Sequence, residues 1–338
     1  MAKERIAYFD FMKGLCILLI VIGHVDDSFF DSLLPNLNFA LKSFRIPLYF
    51  FLSGLFFKEY GGFSEFLRKK INNLIVTLLF FHFLSCALRF PLVSIVHAFR
   101  PDIDVHFSLF DILPPFFGRF WSSAGALWFL VALFMVNILY YAFQKLFNKT
   151  GVLIAVLMCS ACGWVLMKHK VQLPFEFDVA LVALPYFMLG SIVKQMNLLK
   201  KSKYDKYGIL VIIPSALIIY WYSSDINFLY QFVPNYFNLY AVPFLAILSL
   251  FWCCKNLNYV PLICYIGRYS IIVLGTHQVL ISYVWCAYTG ILGLHGFHSN
   301  VTTFITVLVL EILIIPIMVK YFPRFTAQKE FFKANWTL

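Results

Sequence analysis

Apolar residues run in blocks of about twenty positions along most of this chain, separated by short polar stretches. A block of that length, coiled as a helix, crosses ~30 Å of hydrocarbon. Ten such blocks predict ten spans, at 9–30, 39–57, 74–96, 123–143, 152–167, 179–193, 208–222, 239–254, 269–288 and 301–321. The fifth to eighth are short, which predicts little tilt or a thinner membrane there. The expected fold class is an all-α polytopic membrane protein. No internal repeat or low-complexity linker divides the chain, so a single membrane domain over 1–338 is expected, with a short tail from about 322.

Polar positions interrupt the apolar pattern at a few places. In YFDFMKGLCILLIVIGH, Lys13 and His24 lie eleven positions apart, close to three helical turns. They project from nearly one face, roughly 16 Å apart along the axis. Asp10 precedes Lys13 by three and can pair with it. Lys at the centre of a membrane helix costs about 2.5–3.5 kcal/mol on insertion scales, so such groups face the bundle and serve a function. Arg45 in the second block, His82 and Arg89 in the third, His277 in the ninth and Glu311 in the tenth extend this polar set to several depths, as a path through the bundle would.

Composition sharpens the class. The chain is 62% hydrophobic, 20% aromatic and only 13% charged, about half the charge of a soluble protein, with mean hydropathy +0.82. The net charge of +11 is distributed by loop. Nineteen lysines and arginines fall on one set of flanks, among them Lys3, Arg5, Lys58, Arg68, Lys69 and Lys70. Only Arg100, Arg119, Lys168 and Lys170 fall on the other. The positive-inside rule then puts both termini in the cytoplasm. This asymmetry accounts for most of the basic excess and argues against a nucleic-acid partner. Asp10 and Lys13 break the first apolar run and no small-residue cleavage site follows, so an uncleaved first span is expected rather than a signal peptide. Cys159 and Cys162 have metal or redox spacing but sit mid-block with no second pair, and read as packing residues. No metal site and no bound cofactor are expected.

The motifs resemble those of membrane acyltransferase family 3, on its fucose 4-O-acetylase-like branch. The first block carries Arg5, Asp10, Lys13, Gly14 and His24 at the family's spacing. FRIPLYFFLSG supplies Arg45, Pro47, Phe50, Ser53 and Gly54. LWFLVALF, LPYFMLG and YIGRYSIIVLGTHQ follow in the family's order, the last with Gly267, Arg268, Ser270 and His277. One departure stands out: after Arg68, Lys69 and Lys70 the family's Arg-Leu-x-x-Pro stretch is replaced, with Asn73 and Thr77 at the arginine and proline positions. The external esterase-like domain that many members carry after the last span is not expected here.

The resemblance implies transfer of an acyl group, in most members acetyl, from cytoplasmic acyl-CoA to a hydroxyl of an envelope or exported glycan. It implies a cytoplasmic (inner) membrane, of a bacterium. Acetyl-CoA would be a co-substrate, and the partners would be acyl-CoA, an envelope or capsular glycan and the lipid bilayer. The polar stripe fits this independently, because an imidazole can take a proton from a sugar hydroxyl near neutral pH or accept the acyl group itself. The expected catalytic residues are His24 and Asp10. Lys13, Arg45, Ser53, Lys69, Lys70, His277 and Glu311 are expected to bind donor or acceptor. The alternative is a transporter or flippase of a lipid-linked glycan, although the matching broken helices of many transporters are not evident.

Overall fold

A computed structural model describes residues 7–26, 29–32, 34–99, 109–113, 125–196, 205–257, 259–294 and 296–333. Lys3, Arg5, Arg100, Arg119 and the rest of loop residues 100–108 and 114–124 lie outside them. The described chain is helical: α1 (Ala7–Val25), α2 (Leu37–Leu55), α3 (Phe63–Lys70), α4 (Val76–Phe99), α5 (Trp128–Leu146), α6 (Lys149–Lys168), α7 (Phe177–Gln195), α8 (Ile209–Tyr222), α9 (Tyr236–Leu257), α10 (Pro261–Arg268), α11 (Ser270–Trp285) and α12 (Gly296–Tyr321). No strand occurs among the described residues beyond one isolated bridge, Asn227 to Phe232. The protein is an all-α polytopic membrane protein. Among the described residues, eight helical segments are long and apolar enough to cross a membrane. α2, which carries Lys42 and Arg45, and the fourteen-residue α8 fill the second and seventh blocks.

Several boundaries differ from those the apolar pattern predicts. α6, α7 and α9 reach 20, 19 and 22 residues, so three of the four blocks expected to be short are full spans. Their helices continue through flanking polar residues such as Lys149, Lys168 and Lys255, because the backbone ladder does not stop where hydropathy does. The third block begins at Phe63 rather than 74: α3 runs through a π-helical turn at Ile71–Ile75 directly into α4. α1 stops at Val25 rather than 30, where Asp26 turns to accept a hydrogen bond from Asn300 Nδ2 at 2.7 Å. α10, starting with Pro261 at its first turn, was not expected from the hydropathy pattern.

The chain forms two compact units. One holds most of α1, then α2, the end of α5 and α6 through α10. The other holds the last residues of α1, α3, α4, the start of α5, α11, α12 and the segment after them. In the first unit the motif glycines are contact points. A Cβ on Gly14 would strike the Ile263 carbonyl, and one on Gly267 would strike that of Asp10, so α1 and α10 meet backbone to backbone. Gly54 and Gly190 stand likewise against Phe187 and Phe51, joining α2 to α7. Small residues permit this close approach between membrane helices.

Candidate active site

His24 sits in the last turn of α1, where the unsatisfied carbonyls of the helix end favour positive charge. The His24 side chain is exposed to a cavity of about 520 Å³ in the second unit. Arg89 from α4, Gly125, and Gln278, Ser282 and Trp285 from α11 share the lining with it. Gln278 Oε1 accepts from the Ala126 backbone N–H at 2.9 Å, which pins the start of α5 to α11 at the cavity wall. Tyr283 donates to the Leu88 carbonyl at 2.6 Å, holding α11 against α4 next to Arg89.

The structure brings His277 to His24: the two ring centroids lie 5.1 Å apart, tilted by 46°. His277 is fully buried, and its Nδ1 lies 2.8 Å from the Val273 carbonyl oxygen. Glu311, also fully buried, faces the Thr276 hydroxyl, which lies 2.7 and 2.9 Å from its two carboxyl oxygens. It is absent from the cavity lining, as are Lys69 and Lys70. His82 is buried with Nε2 3.1 Å from the Ile112 carbonyl and serves to hold that segment on α4.

The remaining candidates belong to the first unit. Lys13 places Nζ 4.5 Å from the Phe56 ring centroid, and its carbonyl accepts from Tyr49 Oη at 3.3 Å. Arg45 donates from Nη1 to the Leu19 carbonyl at 3.3 Å, and its own carbonyl accepts from Cys16 Sγ at 2.8 Å. These bonds tie α2 to α1 through polar side chains. Asp10 is buried with its carbonyl against Gly267, and Ser53 is half-buried one residue before the Gly54 contact.

At the end of α3, Arg68 and Lys69 both pair with Glu330, the former at 2.6 Å, and Lys70 lies over the Phe66 ring at 5.5 Å. Asn72, nearly fully buried, accepts from the Phe331 and Phe332 N–H groups at 3.0 and 2.8 Å and donates to the Phe332 carbonyl at 3.0 Å. The tail expected from about 322 is therefore strapped along α3 and the π-helical turn. Lys69 and Arg68 hold the Glu330 carboxyl below its ordinary value of 4.5.

A family model for the acyltransferase domain of acyltransferase family 3 matches residues 6–320, nearly the whole chain. The chain belongs to acyltransferase family 3. No curated protein and no solved structure gave a significant match. The membership makes this multi-pass membrane protein an acyltransferase. Arg89 was expected only as part of the polar path and Gln278 only as the last residue of the YIGRYSIIVLGTHQ block; neither was among the expected catalytic or binding residues. An arginine inside an apolar span was the available signal for Arg89. For Gln278 it was its place at the end of the YIGRYSIIVLGTHQ block.

Proposed function

We propose that this acyltransferase moves an acetyl group from acyl-CoA to a hydroxyl of an envelope or exported glycan. It would lie in the cytoplasmic membrane with both termini inside. The observation that carries the reading is His24 in the last turn of α1, facing a cavity with a cationic, an amide, a hydroxyl and an aromatic side chain, in a chain of this family. His24 removes the proton of the sugar hydroxyl as its oxygen bonds to the thioester carbonyl carbon. The carbon–sulfur bond then breaks, and the departing CoA thiolate takes the proton from His24. Arg89 stabilises the negative charge that builds on the carbonyl oxygen, the kind of electrostatic help that acyl transfer needs most. Trp285 offers a face for a sugar ring. Lys69 and Lys70 carry charge that suits the phosphates of CoA; Asp10 and Lys13 are candidates within the first unit. Arg45, bonded to the Leu19 carbonyl of α1, and Ser53 are the binding candidates on α2.

The test is transfer of labelled acetyl from acetyl-CoA by the full chain in nanodiscs, offered envelope glycans as acceptors. Label should appear as an ester on the glycan. His24→Ala should lose about 10²–10⁴-fold in rate, the usual cost of a general base, while remaining inserted and folded. Movement of a lipid-linked glycan across the bilayer without acetyl consumption would overturn the proposal in favour of a flippase.

A further inference from the structure

The buried imidazole behind His24 is in an unusual state for a satisfied core histidine. His277 Nδ1 points at the Val273 carbonyl oxygen from 2.8 Å. A carbonyl oxygen only accepts, so this nitrogen carries the ring proton. The other nitrogen, Nε2, is then an acceptor. It is enclosed and has no hydrogen-bond partner among the described residues. A buried acceptor left without a donor costs stability, and each one calls for an explanation. The ring in contact with His277 is that of His24.

We propose that His277 is a positioning residue for His24. Its Nε2 receives the N–H of the His24 imidazole. His24 is thereby held as one tautomer, with its second nitrogen unprotonated and turned into the cavity. This rests on the reading of His24 as the base. The role resembles that of the third member of a catalytic triad, which orients the imidazole, with a neutral acceptor in place of a carboxylate. A turn of the exposed His24 ring about its own side-chain bonds, fast for an exposed side chain, converts the tilted contact into the hydrogen bond.

Both rings are referenced to the same helix. Thr276, adjacent to His277, meets Glu311 of α12, and Asp26, two residues after His24, meets Asn300 of α12. This explains why a carboxyl group is buried at Glu311 without lining the cavity: it fixes the height of α11, and so of His277, on α12. The expected binding role of His277 becomes one exerted through His24.

The experiment uses the full chain with ¹⁵N-labelled histidine in nanodiscs, without substrate, and assigns His24 by difference from His24→Gln. Wild-type His24 should show one dominant neutral tautomer, and His277→Phe should show a mixture. In transfer assays His277→Phe should lower kcat about 10- to 100-fold, the range for losing a partner that orients a histidine, with both KM values unchanged. His277→Gln, whose amide oxygen can accept the same N–H, should recover most of kcat. An unchanged His24 tautomer in His277→Phe overturns the proposal. If that variant fails to insert, the wild-type spectrum decides, since a mixed His24 population already refutes it. A wild-type protein that moves no acetyl from acyl-CoA would sink the proposed reaction, yet leave the tautomer result to stand or fall alone.

Discussion

Gly54 and Gly125 show how differently two glycines of one chain can act. A Cβ on Gly54 would meet the carbonyl of Phe187 inside normal contact distance, and backbone cannot yield as a flexible side chain can. Gly54→Ala is expected to destabilise by about 1–3 kcal/mol, the usual cost of overpacking, seen as a lower midpoint in thermal unfolding in detergent. At Gly125 the nearest atom to a new Cβ is the Gln278 amide nitrogen at 3.4 Å, an ordinary contact. Gly125→Ala should stay within about 0.5 kcal/mol of wild type, so equal losses in the two variants would refute the distinction. The Lys-Gly, Ser-Gly and Ile-Gly-Arg glycines were legible in the sequence as motif residues. Their pairing, Gly14 and Gly267 between α1 and α10 and Gly54 and Gly190 between α2 and α7, was not, because a glycine does not record which backbone it admits.

The strap after α12 is the element whose behaviour depends most on charge. Glu330 holds Arg68 and Lys69, and Asn72 closes it onto Phe331 and Phe332. The Glu330 carboxyl titrates below 4.5 in the folded chain. Its contribution to holding the strap is therefore fully present above the unfolded value and is lost as pH falls through the folded one. Hydrogen exchange at the Phe331 and Phe332 amides should accelerate, after correction for intrinsic rates, as pH drops below about 4.5. In Glu330→Gln it should be fast already at neutral pH with that acid step gone. A step of the same size in the variant would assign it to another group. The same pairing bears on the donor. If Arg68, Lys69 and Lys70 receive the CoA phosphates, Lys69→Gln with Lys70→Gln raises donor KM and Glu330→Gln lowers it. An unchanged donor KM in both leaves the cluster as a topological anchor. The π-helical turn at Ile71–Ile75 holds Asn73, one of the two departures from the family pattern, and Thr77 follows in α4; Asn72 within the turn was invisible as a clasp because its partners lie about 260 positions away.

For the whole molecule, the proposal that both termini lie inside, drawn from the nineteen-to-four distribution of basic residues, predicts that the segments at Lys58, Lys145–Lys149 and Lys194–Lys206 face the cytoplasm. Single cysteines at Lys58 and His298, in a background whose native cysteines are replaced, should be labelled from opposite sides in oriented vesicles. Labelling of both from one side would overturn the ten-span topology. What the sequence determined by itself is the fold class, the approximate places of the helices and the candidate His24. Each of these is written locally, in runs of apolar residues, in flanking charges and in one imidazole at fixed spacing from a lysine. What only the tertiary structure decided is company: Arg89 and Gln278 beside His24, His277 behind it, Glu311 on Thr276, Glu330 on Arg68. Helix ends also belong here, since α6, α7 and α9 outrun their apolar blocks and α1 stops at Asp26. Hydropathy reports what each residue costs in lipid. It carries no record of which distant helix will supply the partner that makes a polar residue affordable there, and that is settled only when the helices pack.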